Sequence, residues 1–198
     1  MTIKSLIATV ALLAANAAQA GLITNGNFES GLAGWSTSGN VVATSIAASG
    51  SYFGAGSIAA DGNYLAVFNS GDGPTNGRLM QTFATVAGQT YRWEFDYGVT
   101  TGGAQGMRAT VLGANSTDLI NNVVNDNTAG LLAHFTFNFV ADGSQATLRF
   151  QDLNNNPTNS QDGVLDNVVV RAVPEPASLA LMGLGMVGAM VARRRRKA

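Results

Sequence analysis

Short runs in which polar and apolar residues alternate dominate positions 21–172 of the chain. The clearest are Tyr91–Tyr97, where aromatic and charged residues alternate, and His134–Phe139. A period of two is typical of a half-buried β-strand, and no long stretch has the apolar period of an amphipathic helix. Further strands are predicted at 41–46, 64–69, 79–83, 107–112, 147–151 and 164–171.

Glycine, asparagine, aspartate and serine separate these predicted strands. Residues 71–74 and 87–89 are predicted turns, and the glycine-rich stretch 98–106 and the asparagine-rich stretch 152–162 are predicted loops. Eight to ten short strands with such connections predict an all-β domain, an antiparallel β-sandwich of jelly-roll type.

The first 20 residues have a different pattern. Lys4 precedes an apolar run, and small residues occupy the two positions that a signal peptidase recognises, Ala18 and Ala20. We therefore predict an N-terminal signal helix at 1–20 with cleavage before Gly21. An uncleaved membrane helix is the alternative, although the apolar run is short for a bilayer span.

The C-terminal end combines three features in order. Residues 177–192 are apolar and would form a helix of roughly 24 Å, against about 30 Å of hydrocarbon, so flanking cationic side chains must snorkel. Cationic residues favour the cytoplasmic side, which would leave the preceding domain outside. The flanking residues are Val173, Pro174, Glu175 and Pro176 before the helix and Arg193, Arg194, Arg195, Arg196 and Lys197 after it.

This tail resembles the PEP-CTERM sorting signal. The resemblance implies an exosortase substrate in a Gram-negative bacterium that makes exopolysaccharide, tethered to the inner membrane through 177–192 and then moved to the cell surface or outside. A plain tail anchor is the alternative. The chain divides into a signal peptide at 1–20, a sandwich domain at 21–172 and a sorting signal at 173–198.

Composition excludes several kinds of site and partner for the central domain. The chain has no cysteine and one histidine, which excludes disulfides, thiolate metal sites and multi-histidine metal sites. Positions 21–172 contain five arginines and eleven acids, a net charge of −6. Because so acidic a domain repels phosphate backbones, we expect no nucleic-acid partner.

The central domain resembles carbohydrate-binding modules with the galactose-binding-domain-like jelly roll. Three regions carry the resemblance: Ile23–Gly31 with Gly34-Trp35, then Met80–Phe83 with Val86–Tyr91, then Leu165–Val170. The resemblance implies the jelly-roll fold and a carbohydrate-binding role.

The same resemblance implies a structural calcium ion. In such modules an acid near the start, here Glu29, meets an acid in the last strand, here Asp166, and the oxygens of Asn25 and Asn27 are further candidate ligands. Calcium takes six to eight oxygen ligands of this kind. The alternative is that both acids are solvated or hydrogen-bonded turn residues.

Alternation places one set of polar side chains on the outer side of the strands. If these strands share a sheet, they form an exposed face of planar hydrogen-bonding groups suited to sugars, although any sandwich needs a polar outer face. Arg108 is a further candidate, and Tyr52, Phe53 or Tyr64 would supply a stacking ring. The predicted ligand-binding residues are Arg92, Glu94, Asp96, His134, Asn138 and Arg149.

Glu94 and Asp96 are also spaced like paired catalytic carboxylates, since Cα atoms two residues apart on a strand are about 6.6 Å apart. Arg92 on the same face favours a salt-linked strip instead. We therefore expect a non-catalytic exported matrix protein that binds exopolysaccharide or other glycans. A self-associating structural protein without glycan binding and a polysaccharide-degrading enzyme are the alternatives.

Overall fold

The computed structural model describes residues 21–45, 62–100, 103–157 and 162–174. Apart from residues 173 and 174, the described residues belong to one compact unit, Gln19–Ala172. The described residues form ten strands and one 3₁₀ turn at Ser70–Asp72. The strands are β1 Ser36–Ser38, β2 Val41–Ser45, β3 Tyr64–Phe68, β4 Arg78–Ala84, β5 Thr90–Val99, β6 Gln105–Leu112, β7 Asp118–Asp126, β8 Leu132–Val140, β9 Gln145–Asp152 and β10 Gly163–Ala172.

The strands form two five-stranded sheets, each with antiparallel pairing throughout. Sheet A has the order β1-β4-β9-β6-β7, and sheet B has the order β2-β3-β10-β5-β8. The chain passes repeatedly between the sheets, because β9 lies in sheet A while its neighbours in sequence, β8 and β10, lie in sheet B. This confirms the predicted antiparallel sandwich of jelly-roll type.

The core lies between the inner faces of the two sheets and is rich in aromatic side chains. Trp93 and Phe95 of sheet B are fully buried and meet Phe150 of sheet A, with ring centroids 5.3 Å and 5.1 Å away respectively. Tilted and edge-to-face contacts of this kind stabilise a core beyond the burial of their area. As the alternating pattern of β5 predicted, every second side chain of this strand points into the core.

Two strands were not predicted. β1 has three exposed residues, and β7 reads Asp-Leu-Ile-Asn-Asn-Val-Val-Asn-Asp, which does not alternate. The predicted loop at 98–106 is shorter than expected, since β5 continues to Val99 and β6 begins at Gln105. Both ends of that loop gain ladder hydrogen bonds, which override the weak strand preference of glycine and glutamine.

A segment before β1 extends sheet B along β10. The Leu22 N–H donates to the carbonyl of Val170, and the Val168 N–H donates to the carbonyl of Gly26, each at 2.9 Å. β3 pairs with β10 only as far as the Ala66–Leu165 pair. β3 and the 22–26 segment therefore pair with successive parts of the same edge of β10. We call the place where β3 ends and this segment begins the junction.

Several predictions lie outside the described residues: the signal helix at 1–20, the span at 177–192, the arginine cluster, and the candidate rings Tyr52 and Phe53. Of the Pro-Glu-Pro triplet, only Pro174 is described. In the ranges that the structure does describe, no helix has the length and apolarity that crossing a bilayer demands.

Candidate functional site

Five of the six predicted ligand-binding residues come together on the outer face of sheet B. Direct cross-strand pairs join β5 to β8 there, and paired residues in antiparallel strands project from the same side. The polar pairs are Asp96 with His134, Glu94 with Thr136, and Arg92 with Asn138.

Arg149 does not join this face, and the prediction that it would is wrong. Its strand, β9, lies in sheet A between β4 and β6, so Arg149 projects from the opposite side of the sandwich. Arg108, on β6, lies on that opposite side as well. Alternation identifies the outward side of a strand, but it carries no information about which sheet the strand enters.

Asp96 faces away from the core but is buried, with 3% of its surface exposed. One carboxylate oxygen accepts from His134 Nδ1 at 2.6 Å, and the other accepts from the Asn167 side-chain amide at 2.7 Å. The expectation of an exposed Asp96 is therefore wrong. Its carboxylate lies beneath the two side chains and orients them.

Glu94 pairs with an arginine that the sequence did not single out. Arg171 Nη1 lies 3.2 Å from Glu94 Oε2, and His134 Nε2 lies 3.9 Å from the other oxygen. Arg171 is on β10 directly beside Arg92, so it reaches Glu94 diagonally across the strands. We define Arg92, Glu94, His134, Asn138 and Arg171 as the polar strip of sheet B.

An apolar cluster covers the other end of the same face. Leu65, Val67, Leu132 and Val164 are buried together, separate from the main core. Cross-strand pairing places Val67 beside Val164 and Leu132 beside Gly98. The polar strip therefore occupies only part of the sheet B face. Tyr64 contributes no ring to it, because its position alternates with the outward-facing Leu65.

The two predicted calcium-binding acids lie at the junction on β10. A register shift between Asp166 and Val169 marks a β-bulge, with Asn167 in the left-handed region at φ 53°. The bulge directs both Asp166 and Asn167 to the outer face. Asp166 is fully buried and accepts the N–H of Asn167 at 2.8 Å.

Glu29 reaches the same junction from the N-terminal segment. Its Oε1 accepts the backbone N–H groups of Asn63 and Tyr64 at 2.6 Å and 2.7 Å, at the start of β3. A side chain at Gly62, which has φ +88°, would collide with the Glu29 carboxylate. Glu29 is therefore held at the start of β3, the strand that pairs with β10 as far as Leu165.

Asn25 is not arranged as a metal ligand. Its side-chain amide donates to the carbonyls of Gly31 and Ala33, and its Oδ1 accepts the N–H of Ser30 at 3.0 Å. These bonds use the side chain to hold the loop before β1, so the prediction that Asn25 adds a ligand oxygen does not fit the structure. Asn27 lines a polar cleft of about 270 Å³ beside Asn167 and Val168. Over the described ranges, no three His, Cys, Asp or Glu side chains cluster as a metal site.

A family model for the PEP-CTERM protein-sorting motif matches residues 172–197. The chain carries a PEP-CTERM sorting motif. This confirms the resemblance based on the Pro-Glu-Pro triplet and the arginine cluster. The motif indicates an exported protein whose precursor is sorted to the cell surface.

The sandwich is similar to solved carbohydrate-binding modules. TmCBM61, solved in complex with β-1,4-galactotriose, has a TM-score of 0.58 and 16% identity, with 78% of this chain and 100% of that chain covered. The N-terminal cellulose-binding domain of Cellulomonas fimi β-1,4-glucanase C has a TM-score of 0.51 and 18% identity, with 79% of this chain and 100% of that chain covered. At these identities the similarity shows the fold.

Part of an enzyme is also similar. The α-L-arabinofuranosidase MgGH51 has a TM-score of 0.52 and 14% identity, and the match covers 77% of this chain but only 26% of the enzyme. A comparison with curated protein sequences finds no match. The similar folds are mainly carbohydrate-binding modules, and the enzyme match concerns one part of a larger chain.

Proposed function

We propose that this protein is a non-catalytic, exported matrix protein that binds exopolysaccharide through the polar strip of sheet B. The observation that carries the proposal is the strip itself. It presents guanidinium, carboxylate, imidazole and amide groups side by side on the neighbouring strands β10, β5 and β8. Its two arginines face one unburied glutamate and a histidine, so the surface is nearly balanced in charge and suits neutral, hydroxyl-rich sugars.

The sorting motif supports a route to the polysaccharide. In this route a signal peptidase removes residues 1–20, the 177–192 segment holds the precursor in the inner membrane, and exosortase processes the tail in a Gram-negative cell. The body then meets exopolysaccharide at the cell surface or outside it.

The surroundings of Glu94 in the strip and of the buried Asp96 beside it favour binding over hydrolysis. Glu94 is paired with Arg171, and Asp96 is engaged by His134 and Asn167. A glycoside hydrolase needs one carboxyl held protonated in an apolar pocket as the general acid. Arginine, histidine and amide side chains contact these acids, so neither lies in such an apolar pocket.

The binding experiment uses the full chain, kept in solution with a mild detergent. Arg92→Ala combined with Asn138→Ala should weaken retention on a neutral polysaccharide affinity gel about tenfold, since each variant removes hydrogen bonds from an exposed position. Gln145→Ala, an exposed amide on sheet A, is the matched control and should leave retention unchanged. Equal retention of both proteins would overturn the assignment of the strip. Self-association with no retention of any polysaccharide would favour a purely structural matrix protein.

The junction on β10 supports a structural calcium ion as part of this proposal. Glu29 and Asp166 would supply the carboxylate oxygens, with backbone carbonyls around the bulge completing the shell, and the ion would fasten the N-terminal segment to β3 and β10. If so, chelator should lower the melting temperature by about 5 °C, because a ligand bound only by the folded state stabilises that state. A Glu29→Gln variant should melt lower and lose the response to chelator. An unchanged melting temperature with chelator would exclude the ion.

A further inference from the structure

The outer face of sheet A has three arginines on three neighbouring strands. Cross-strand pairing places Gln151 of β9 between Arg78 of β4 and Arg108 of β6. The third, Arg149, lies two residues before Gln151 on the central strand. Because neighbouring strands are about 4.8 Å apart, Arg78 and Arg108 begin about 10 Å from each other, and Arg149 lies on the strand between them, about 6.6 Å along from Gln151. We call these three residues the arginine face.

Neutral side chains surround these three guanidinium groups. Arg108 donates to the Asn121 side chain at 2.8 Å, while Arg78 and Arg149 make longer contacts of 3.4 Å with Gln151 and Thr110. The ion pairs found among the described residues all lie on sheet B. The charges of the arginine face are therefore not neutralised by a partner carboxylate.

Two of the three acids on the strands of sheet A are directed away from this face. Asp126 pairs with Gln105, and Asp152 pairs with Met107, so both carboxylates point to the inner side of the sheet. Asp118 is exposed at the start of the edge strand β7 and reaches Arg108 only through the Asn121 amide. In a domain of net charge −6, this separation creates a local positive surface.

Among the residues that the structure describes, the strands of the arginine face contribute no stacking ring. The aromatic residues of β4 and β9 are Phe83 and Phe150, and both are buried in the core. Outward positions between the arginines are occupied by Met80, threonines and amides. Recognition at this face must therefore depend on charge, and guanidinium groups match carboxylate oxygens in a bidentate geometry.

We infer that the arginine face binds an acidic polysaccharide, one whose sugars carry carboxylate groups. Guanidinium groups spread over three strands can engage successive carboxylates along one polymer. Guanidinium groups also bind phosphate in a bidentate geometry, so nucleic acid is the competing ligand, and the test below distinguishes the two. The inference goes beyond the proposed function, since it concerns the other sheet and a charged ligand class.

The test measures binding of the exported full chain to polygalacturonate at low salt. Arg78→Gln combined with Arg149→Gln should weaken binding about tenfold, and raising the salt concentration should weaken binding of the unaltered protein. Val86→Glu with Val140→Glu is the control, because it changes the net charge equally at exposed positions outside the arginine face. This control should bind within about twofold of the unaltered protein. Arg78→Gln with Arg108→Gln serves as a second test if Arg149→Gln fails to fold.

Three outcomes would overturn the inference. One is equal binding of polygalacturonate by the arginine variants and the control variant. A second is equally tight binding of neutral dextran, or of dextran sulfate in place of polygalacturonate, which would exclude carboxylate recognition. A third is equal retention of double-stranded DNA, which would indicate a general polyanion surface. Failure of the polar strip to bind neutral polysaccharide would leave these results unaffected, so the two proposals can fail separately.

Discussion

The two outer faces of this sandwich differ in whether their charged side chains have partners of opposite charge. On sheet B, acids and bases occupy the same side and pair with each other, as Arg171 does with Glu94 and His134 does with Asp96. On sheet A, the arginines point outward while Asp126 and Asp152 point inward. One face is internally compensated and the other is left positive.

The difference shows how strand register distributes charge. Neighbours on a face are set by cross-strand pairing, so a one-residue change in the position of an acid moves it to the other side of its sheet. On sheet B, that pairing places acids beside bases, so its charged side chains pair with each other within the protein. Sheet A leaves its guanidinium groups available for a ligand. Its Asp126 and Asp152 carboxylates face the interior, where water reaches them with difficulty.

The largest effect on this comparison should come from Asp96, the buried centre of the sheet B network. Asp96→Ala should lower the free energy of unfolding by about 2 kcal/mol, because it removes two hydrogen bonds to a charged acceptor and leaves the Asn167 amide without its partner. Urea-induced unfolding measures the loss. Thr136→Ala, an exposed neighbour on β8, is the control and should change stability by less than about 0.5 kcal/mol. A loss no larger than the control's would mean that the sheet B network is not compensating charge.

A smaller effect, of opposite sign, is expected for Asp152, an inward acid of sheet A. Burial raises the pKa of its carboxyl above the usual value, and hydrogen bonds from Asn156 and Leu153 offset this only in part. An acid with a raised folded-state pKa favours the folded state most at low pH, and this contribution is lost as pH rises from the usual pKa through the folded-state pKa.

Asp152→Asn should therefore stabilise the protein at neutral pH relative to the unaltered chain, and the advantage should shrink as pH falls toward 4. Melting temperatures recorded across that range test both the sign and the trend. The burial of Tyr97 and the nearby charges of Asp152 and Asp126 raise the pKa of the Tyr97 hydroxyl, so it stays protonated throughout. An Asn variant that is less stable at neutral pH than at pH 4, relative to the unaltered chain, would contradict the account of sheet A.

The smallest effects should come from single arginines at the surface. Arg171→Ala breaks an ion pair whose arginine is half exposed, and should cost about 0.5 kcal/mol at low salt and less at high salt. Arg108→Ala, its counterpart on sheet A, breaks no ion pair and should show no such salt dependence. Unfolding free energies of both variants at two salt concentrations make the comparison. Identical salt responses would show that the two faces do not differ in charge compensation.

Much of the architecture could be predicted, and the errors have identifiable causes. The alternation in β5 and β8 correctly predicted which side chains face outward, because a strand's period of two is local. β7 escaped prediction because its asparagines and paired valines do not alternate, and only pairing with β6 makes it a strand. Arg171 was overlooked since its contact with Glu94 depends on strand neighbours far apart in sequence.

By itself, the sequence determined the sorting motif, the all-β class and the outward side of each clear strand, since these follow from short-range patterns. Only the tertiary structure decided that Arg149 belongs to sheet A, that Asp96 is buried beneath His134 and Asn167, and that β10 carries a bulge after Asp166. The physical reason is that sheet membership, register and burial arise from long-range pairing, and a local pattern contains no information about its partner.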